Sequence, residues 1–512
     1  MKVSSIIAAA GLIAPAFAGD KGYGNDKGKK LVTQKELVKD IKLKDLLAGA
    51  QKLQDFANAN GGNRAFGGGG HNATVDWLYK TLKATGYYNV IKQPFVELFT
   101  AATIDFSVNG VEYPASYMTY SPSGNATAPL VPVANIGCDA ADYPAKVSGN
   151  IALISRGTCP FSQKATLAKA AGAVGAVVYN NVPGPLGGTL GGVGDYVAIV
   201  GITQEVGTTL LDLVAAGEVT ATLDVNAIAE NRTTYNVIAE TKTGDKNNVL
   251  VLGGHTDSVF AGPGINDDGS GTVGVLAVAK ALTKYKIKNA VRFGFWSAEE
   301  FGLLGSYHYL KTLNGTISGS AREVAKIRAY LNFDMIASPN YVLGIYDGDG
   351  SAFNLTGPTG SDTIEKDFED FFKKKGVPSV PSIFSGRSDY AAFLQNGIPS
   401  GGLFTGAEEL KTEEEAALFG GTAGTSLDPN YHQAGDTVEN LSKEAFLLNS
   451  QSIANSVAKY ALSFKGIPKP SVAHRKREAE ASRFMVRFAD KVAEEHKGHV
   501  HASPCGQGTL LQ

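Results

Sequence analysis

The chain has 512 residues, 43% hydrophobic and 19% charged, with a formal net charge of -2. That length predicts two or three domains, and the composition is that of a globular protein. The near balance of charge excludes bulk attraction to nucleic acid or acidic lipid, so neither is expected as a partner.

Residues 1–18 read as a secretory signal. Lys2 supplies the positive end, residues 6–13 a short apolar core, and Ala16-Phe17-Ala18 the small-x-small cleavage pattern. The core is too short to span a bilayer, and no later segment qualifies, so no membrane anchor is expected. Six Asn-x-Ser/Thr sequons, at Asn72, Asn125, Asn231, Asn314, Asn354 and Asn440, agree with export and are candidate glycosylation sites. A secreted protein is expected, with the vacuole as the alternative destination. Of three cysteines, Cys138 and Cys159 lie close enough in sequence to pair in an oxidising compartment, which leaves Cys505 over.

Residues 19–40, rich in Gly, Lys and Asp at their start, read as a flexible or removable segment. Leu43, Leu46, Leu47, Ala50, Leu53 and Ala57 recur at helical spacing and predict a helix over 35–58. Residues 67–70 read as a glycine loop. A second helix runs from about Thr74 and stops at Gly86. Residues 90–95 read as an edge strand, because Pro94 lies near their end.

Over 103–234 the texture changes to short β-rich runs, at 104–108, 151–154, 177–179 and 197–202, with a helix over 162–171. This block has no histidine and no carboxylates clustered at ligand spacing, so it reads as an inserted, non-catalytic domain. From Tyr235 the alternation is regular. Strands are predicted at 236–240, 249–252, 291–296 and 329–333, and helices at 272–285, 301–313, 361–375, 388–395 and 442–464. The result is an α/β fold: a doubly wound, mostly parallel sheet with helices on both faces, spanning 41–102 and 235–466. Residues 467–512 form a C-terminal extension. In it, dibasic Lys476-Arg477 precedes Glu-Ala-Glu-Ala as a candidate processing site, and a helix is predicted over 483–495.

The chemistry gathers after the run Val249-Leu250-Val251-Leu252. Gly253-Gly254 follows and reads as a sharp turn, then come His255-Thr256-Asp257-Ser258 and Asn266-Asp267-Asp268-Gly269. Ligands of open α/β sheets bind beyond the carboxyl ends of strands, and His and Asp are metal-ligand types. Two later strands run into Glu299-Glu300 and Asp334, and a late loop offers Tyr431-His432. Each residue alone has an ordinary explanation, as a turn cap or a helix start favoured by the dipole. Jointly, His255, Asp267, Glu299, Glu300, Asp334 and His432 fall where such a sheet places its site. A mixed His/carboxylate set suits Zn²⁺ better than Ca²⁺ or Mg²⁺. Two metals sharing such a set would activate water and polarise a carbonyl. Of two adjacent glutamates, one could be tied to metal while its neighbour stays free to take a proton.

Two resemblances extend this reading. Ile151-Ala152-Leu153-Ile154-Ser155-Arg156-Gly157-Thr158-Cys159-Pro160-Phe161, with Ala170-Ala171-Gly172-Ala173-Val174-Gly175-Ala176-Val177-Val178, resembles the protease-associated domain. His255-Thr256-Asp257-Ser258, Gly262 through Gly271, Trp296-Ser297-Ala298-Glu299-Glu300-Phe301-Gly302, Asn332-Phe333-Asp334-Met335 and Tyr431-His432 with Asp436-Thr437 resemble the co-catalytic di-zinc aminopeptidases. Within that family the chain is most similar to the fungal secreted leucine aminopeptidases and the vacuolar aminopeptidase Y.

The resemblance implies two Zn²⁺ per subunit and peptide substrates with a free N-terminus, Leu-like residues preferred. Asp267 would bridge the metals, His255 and Asp334 would complete one site, and Glu300 and His432 the other. Asp257 would orient His255, Glu299 would be the general base, and Tyr431 would stabilise the oxyanion. Gly386, Arg387 and Phe404 would line the substrate pocket. Asp268 is expected to shape its loop. Asn430 and Gly435 stand where relatives carry cysteines, so the loop around His432 must be held by other means. A carboxypeptidase would need a basic cluster, for which Arg387 alone is thin support. A monomer is expected.

Overall fold

The computed structural model describes residues 28–184, 186–317 and 321–469. The signal, residues 19–27, Lys476-Arg477, the helix predicted over 483–495 and Cys505 lie outside the described residues. The chain forms two compact units. Among the described residues, one is built from 28–94, Tyr235–Glu299 and the chain between 303 and 469; the other is centred on Phe95–Thr234.

The first unit holds a mixed, mostly parallel sheet. Its strand order is Val380–Ser382, Gly344–Tyr346, Ser400–Phe404, Ile327–Phe333, Asp245–His255, Asn289–Trp296, then the C-terminal part of Thr220–Thr241. The central strand Asp245–His255 is parallel to both neighbours. Antiparallel pairs are Gly344–Tyr346 with Ser400–Phe404 and Asn289–Trp296 with Thr220–Thr241. Alternation along Ile327–Phe333 shows how both faces are covered. Ala329, Leu331 and Phe333 join the core with residues of the helices Leu43–Asn58, Gly269–Leu282 and Lys443–Tyr460. Tyr330 points the other way and stacks on Phe393 of Tyr390–Gln395, ring centroids 3.6 Å apart. A strand buried on both faces has no polar side to show, which is why the central strands read as unbroken apolar runs.

The structure corrects four sequence expectations. The helix over 35–58 is two helices, Gln34–Asp40 and Leu43–Asn58, interrupted where Ile41 turns its side chain into the core. Residues 30–40 belong to the packed unit: Lys30–Leu31 pairs with Tyr285–Lys286, and Leu37 is fully buried. The glycines at 69 and 70 open the helix Gly69–Ala84, where a Cβ on Gly70 would lie 2.2 Å from the Asn63 carbonyl oxygen. Gly253-Gly254 makes no turn, because the strand continues through both to His255. A Cβ on Gly254 would sit 2.3 Å from Asp268 Oδ2 and 2.5 Å from the Phe333 carbonyl. These glycines admit close neighbours, a second use of a missing side chain.

In the second unit, Gly124–Pro132 is antiparallel to the N-terminal part of Thr220–Thr241 and parallel to Ile151–Ser155. Gly175–Tyr179 and Ile199–Ile202 extend the parallel set. Phe161–Ala170 and Gln204–Ala216 are its helices. Cys138 and Cys159 form a disulfide. Of the sequon asparagines, Asn72, Asn125, Asn231 and Asn354 are exposed and Asn314 is half-buried. Asn440 is buried, and the folded chain does not offer its amide to solvent. Among the described residues no helix is long and apolar enough to cross a membrane.

Candidate active site

Three neighbouring parallel strands deliver the candidate ligands. His255 is the last residue of Asp245–His255, Glu299-Glu300 follows Asn289–Trp296, and Asp334 directly follows Ile327–Phe333. His255 Nε2 lies 3.1 Å from Asp267 Oδ1, 3.6 Å from Asp334 Oδ1 and 3.9 Å from Glu299 Oε2. The second oxygen of Asp267 turns to the late loop, with His432 Nε2 3.2 Å from Oδ2. Ligand atoms of His255, Asp267 and Glu300 lie within 4.8 Å of one another, as do those of His255, Asp268 and Asp334. The backbone is bent to serve this cluster. Ala298, Met335 and His432 are non-glycine residues at φ 58°, 50° and 56°. Left-handed conformers of this kind cost energy and concentrate at functional sites.

Charge in the cluster follows from burial and pairing. Burial opposes charge on Asp267, but its contacts with His255 and His432 hold its carboxyl far below the usual range. Burial likewise opposes charge on His255, yet Glu299, Asp334 and Asp267 push its imidazole well above its ordinary value. Buried like charges are costly unless a cation shares them. The donor set, in which His255, Asp267, Glu299 and Asp334 are 1–7% exposed, therefore fits a bound metal, which would replace that imidazole proton.

Asp268 is hydrogen-bonded through both carboxylate oxygens. Its Oδ2 accepts the His255 N–H at 3.0 Å, and its Oδ1 accepts those of Gly271 at 2.8 Å and Met335 at 3.1 Å. It thereby caps the helix Gly269–Leu282 and ties two strand ends together.

The sequence of the whole chain agrees with what this cluster indicates. Residues 236–457 match the model of peptidase family M28, and residues 126–210 match the PA domain. Probable leucine aminopeptidase 2 of Aspergillus fumigatus is 59% identical over 445 residues, 86% of this chain and 88% of that protein. The chain belongs to peptidase family M28. Two solved structures are similar to this M28 chain. An aminopeptidase from Aneurinibacillus sp. strain AM-1 has a TM-score of 0.63 at 28% identity, covering 86% of this chain and 98% of that one. A zinc aminopeptidase from Bacillus subtilis has a TM-score of 0.60 at 26% identity, covering 82% and 95%.

Around the cluster, the M28 chain holds its side chains with groups that sequence reading missed. Arg64 is fully buried and donates from Nε to the Pro263 carbonyl at 2.8 Å, and from its terminal nitrogens to the carbonyls of Thr256 and Gly264. It clamps the stretch between His255 and Asp267. Ser388 donates to Asp334 Oδ2 at 2.5 Å and accepts from Asn332 Nδ2 at 2.8 Å. Asn332 in turn accepts from Tyr330, which accepts from Trp296 Nε1. Asp436 accepts the N–H groups of Asn266 and Asp267 at 2.8 and 3.0 Å. No local pattern marks these roles, because apart from Tyr330 and Asn332, two residues apart, the partners are distant in sequence.

The Tyr431 ring stacks on His432, centroids 3.8 Å apart, and its hydroxyl accepts from Arg387 Nη2 at 3.1 Å. Arg387 also forms a two-pronged pair with Glu408, at 2.7 and 3.0 Å. An arginine committed in this way positions Tyr431 and is a poor anchor for a peptide C-terminus. Gly386 sits at φ 84° and donates its N–H to the Tyr390 hydroxyl. Phe404 is half-buried and lies beside Tyr346, which packs with Phe384 and Tyr390 in an aromatic group.

Proposed function

We propose that this M28 peptidase is an exported aminopeptidase that holds two zinc ions and removes N-terminal, Leu-like residues from peptides. The observation that carries the reading is Asp267, with one oxygen 3.1 Å from His255 and the other 3.2 Å from His432. A carboxylate facing two imidazoles from opposite sides is suited to be shared between two cations. His255 and Asp334 would hold one ion and Glu300 and His432 the other, a mixed donor set of the kind zinc favours. Bound zinc would supply a Lewis acid that activates water and polarises the scissile carbonyl.

The protein's own groups do the rest. Glu299, almost fully buried and 3.9 Å from His255 Nε2, takes the proton from water and passes it to the leaving amine. The Tyr431 hydroxyl, which accepts from Arg387 at 3.1 Å, stabilises the developing charge on the carbonyl oxygen. Glu299 and Asp334 offer negative charge to the substrate's α-ammonium. Phe404 and its aromatic neighbours favour an apolar side chain. The signal-like residues 1–18, the exposed sequons and the disulfide support export.

The test is the purified protein on a leucine anilide and on its N-acetylated form, with zinc counted by elemental analysis. Cleavage of the unblocked substrate alone, at about two zinc ions per chain, is expected. Cleavage of the blocked form alone, or zinc near zero in active protein, would overturn the reading.

A further inference from the structure

The loop that carries Tyr431 and His432 encloses a small set of buried polar side chains. Asp428 stands before it, and Asn440 closes it at the end of the single turn Val438–Asn440. Asn440 is 7% exposed and Asp428 and Asp436 1% each. Asn440 Nδ2 donates to Asp428 Oδ1 at 3.0 Å and Oδ2 at 3.1 Å, and reaches Asp436 Oδ1 at 3.3 Å. Its Oδ1 accepts from Asn430 Nδ2 at 2.7 Å. The acceptors also reach the loop of Asp267. Asp428 Oδ2 accepts from Asn266 Nδ2 at 2.7 Å, and Asp436 accepts the N–H groups of Asn266 and Asp267. One amide thus ties both ends of the His432 loop to the backbone of the carboxylate that His432 faces.

The middle of the loop is drawn in as well. A Cβ on Gly435 would fall 2.1 Å from Asn430 Oδ1 and 2.8 Å from its Cγ, so these positions are in direct contact. Two buried carboxylates side by side repel, and a donor wedged between them is what lets them share a site.

We infer that Asn440 is a positioning residue: it holds Asp428, Asn430 and Asp436 together and so sets where His432 and Tyr431 stand relative to Asp267. The inference rests on the zinc-peptidase reading above. It has a covalent corollary. Asn440-Leu441-Ser442 is a sequon, and a glycan on Asn440 would remove the donor and has no room in the closed loop, so this sequon stays unmodified in the active enzyme.

The experiment compares full-length wild type with Asn440→Ala and Asn440→Asp. Both should lose zinc to a chelator at least about tenfold faster, the range seen when groups supporting metal ligands are removed. The turnover number should fall with KM little changed. Asn440→Ala carrying Asn430→Cys and Gly435→Cys should regain zinc retention when oxidised and lose it when reduced, relative to Asn440→Ala under the same reductant. Ser442→Asp deletes the sequon but keeps a side-chain cap on Lys443–Tyr460, where Ser442 Oγ accepts the Ala445 N–H, and should behave as wild type.

Wild-type zinc retention in Asn440→Ala, or no recovery in the oxidised cysteine pair, would overturn the inference. So would a glycan on Asn440 in active protein. If wild type holds no zinc and cleaves no peptide, the functional reading fails instead. Hydrogen exchange over residues 428–440 of the metal-free protein still decides the positioning role: faster exchange in Asn440→Ala supports it, and unchanged exchange overturns it.

Discussion

Asp257 Oδ1 accepts the backbone N–H of Glu299 at 3.1 Å. Its own backbone carbonyl lies 3.2 Å from His255 Nδ1, so that nitrogen carries the donated proton and Nε2 is left to face Asp267. One residue therefore fixes the tautomer of a candidate ligand and the height of the candidate base. Asp257 Oδ1 also lies 3.7 Å from His255 Nδ1. Asp257→Asn, which keeps the backbone carbonyl and removes that charge, should therefore lower kcat/KM about 10–100-fold and weaken zinc binding by a similar factor, since groups that support metal-ligating histidines act on both. Steady-state kinetics and chelator competition measure the two. An unchanged zinc affinity would mean that the Asp257 carboxylate does not act through His255.

Arg64 is a buried cation near four carboxylates, Asp257, Asp436, Asp268 and Asp267; burial lowers its pKa, and their charges offset part of that cost. Removing one member of such a buried set leaves the others uncompensated and three carbonyls without their donor. Arg64→Met should cost about 3–5 kcal/mol of unfolding free energy in urea. Arg64→Lys should recover only part of it, because one ammonium cannot repeat the guanidinium's fixed fork.

His71 gives the pH dependence. Its ring is fully buried, and Nε2 lies 2.8 Å from Thr256 Oγ1, which donates its own proton to the Trp296 carbonyl. Nε2 therefore donates. Burial, with Arg64 and His255 nearby, lowers its pKa to about 3. Below the unfolded value of about 6.5, the unfolded chain takes up a proton that the folded chain refuses. Stability should fall by about 1.6 kcal/mol from pH 6.5 to pH 5 through this group alone. His71→Gln, which keeps a donor and cannot titrate, should flatten that part of the melting-temperature profile. Equal slopes in both proteins would dismiss His71 as its source.

What the sequence made legible was local. His255, Glu299, Glu300 and Asp334 each stand where an apolar run stops, so strand ends and ligand types could be read together. Ser361–Lys375 was readable to the residue because it buries one face, with Ile364, Phe368 and Phe371 along it, and ends at Gly376. What was hidden depends on partners far along the chain. Arg64 meets Thr256 across 192 residues, and nothing around it resembles a motif. Asn440 looked like a surface sequon because its commitment to Asp428 and Asp436 exists only in the folded loop. Gly253-Gly254 looked like a turn, since a sequence does not show that the Asp268 carboxylate occupies the space of a side chain. Of the strand Thr220–Thr241 only the buried end, residues 236–240, was legible, because its middle is polar and exposed.

The central claim is that Glu299 moves the proton while its neighbours hold the metal. Glu299→Ala keeps the backbone N–H that Asp257 accepts and removes only the carboxylate. Peptide hydrolysis and zinc content measured on the same preparation test the claim most directly. The account predicts a rate lower by about 10²–10⁴-fold with zinc still near two per chain. Full activity in that variant would contradict it.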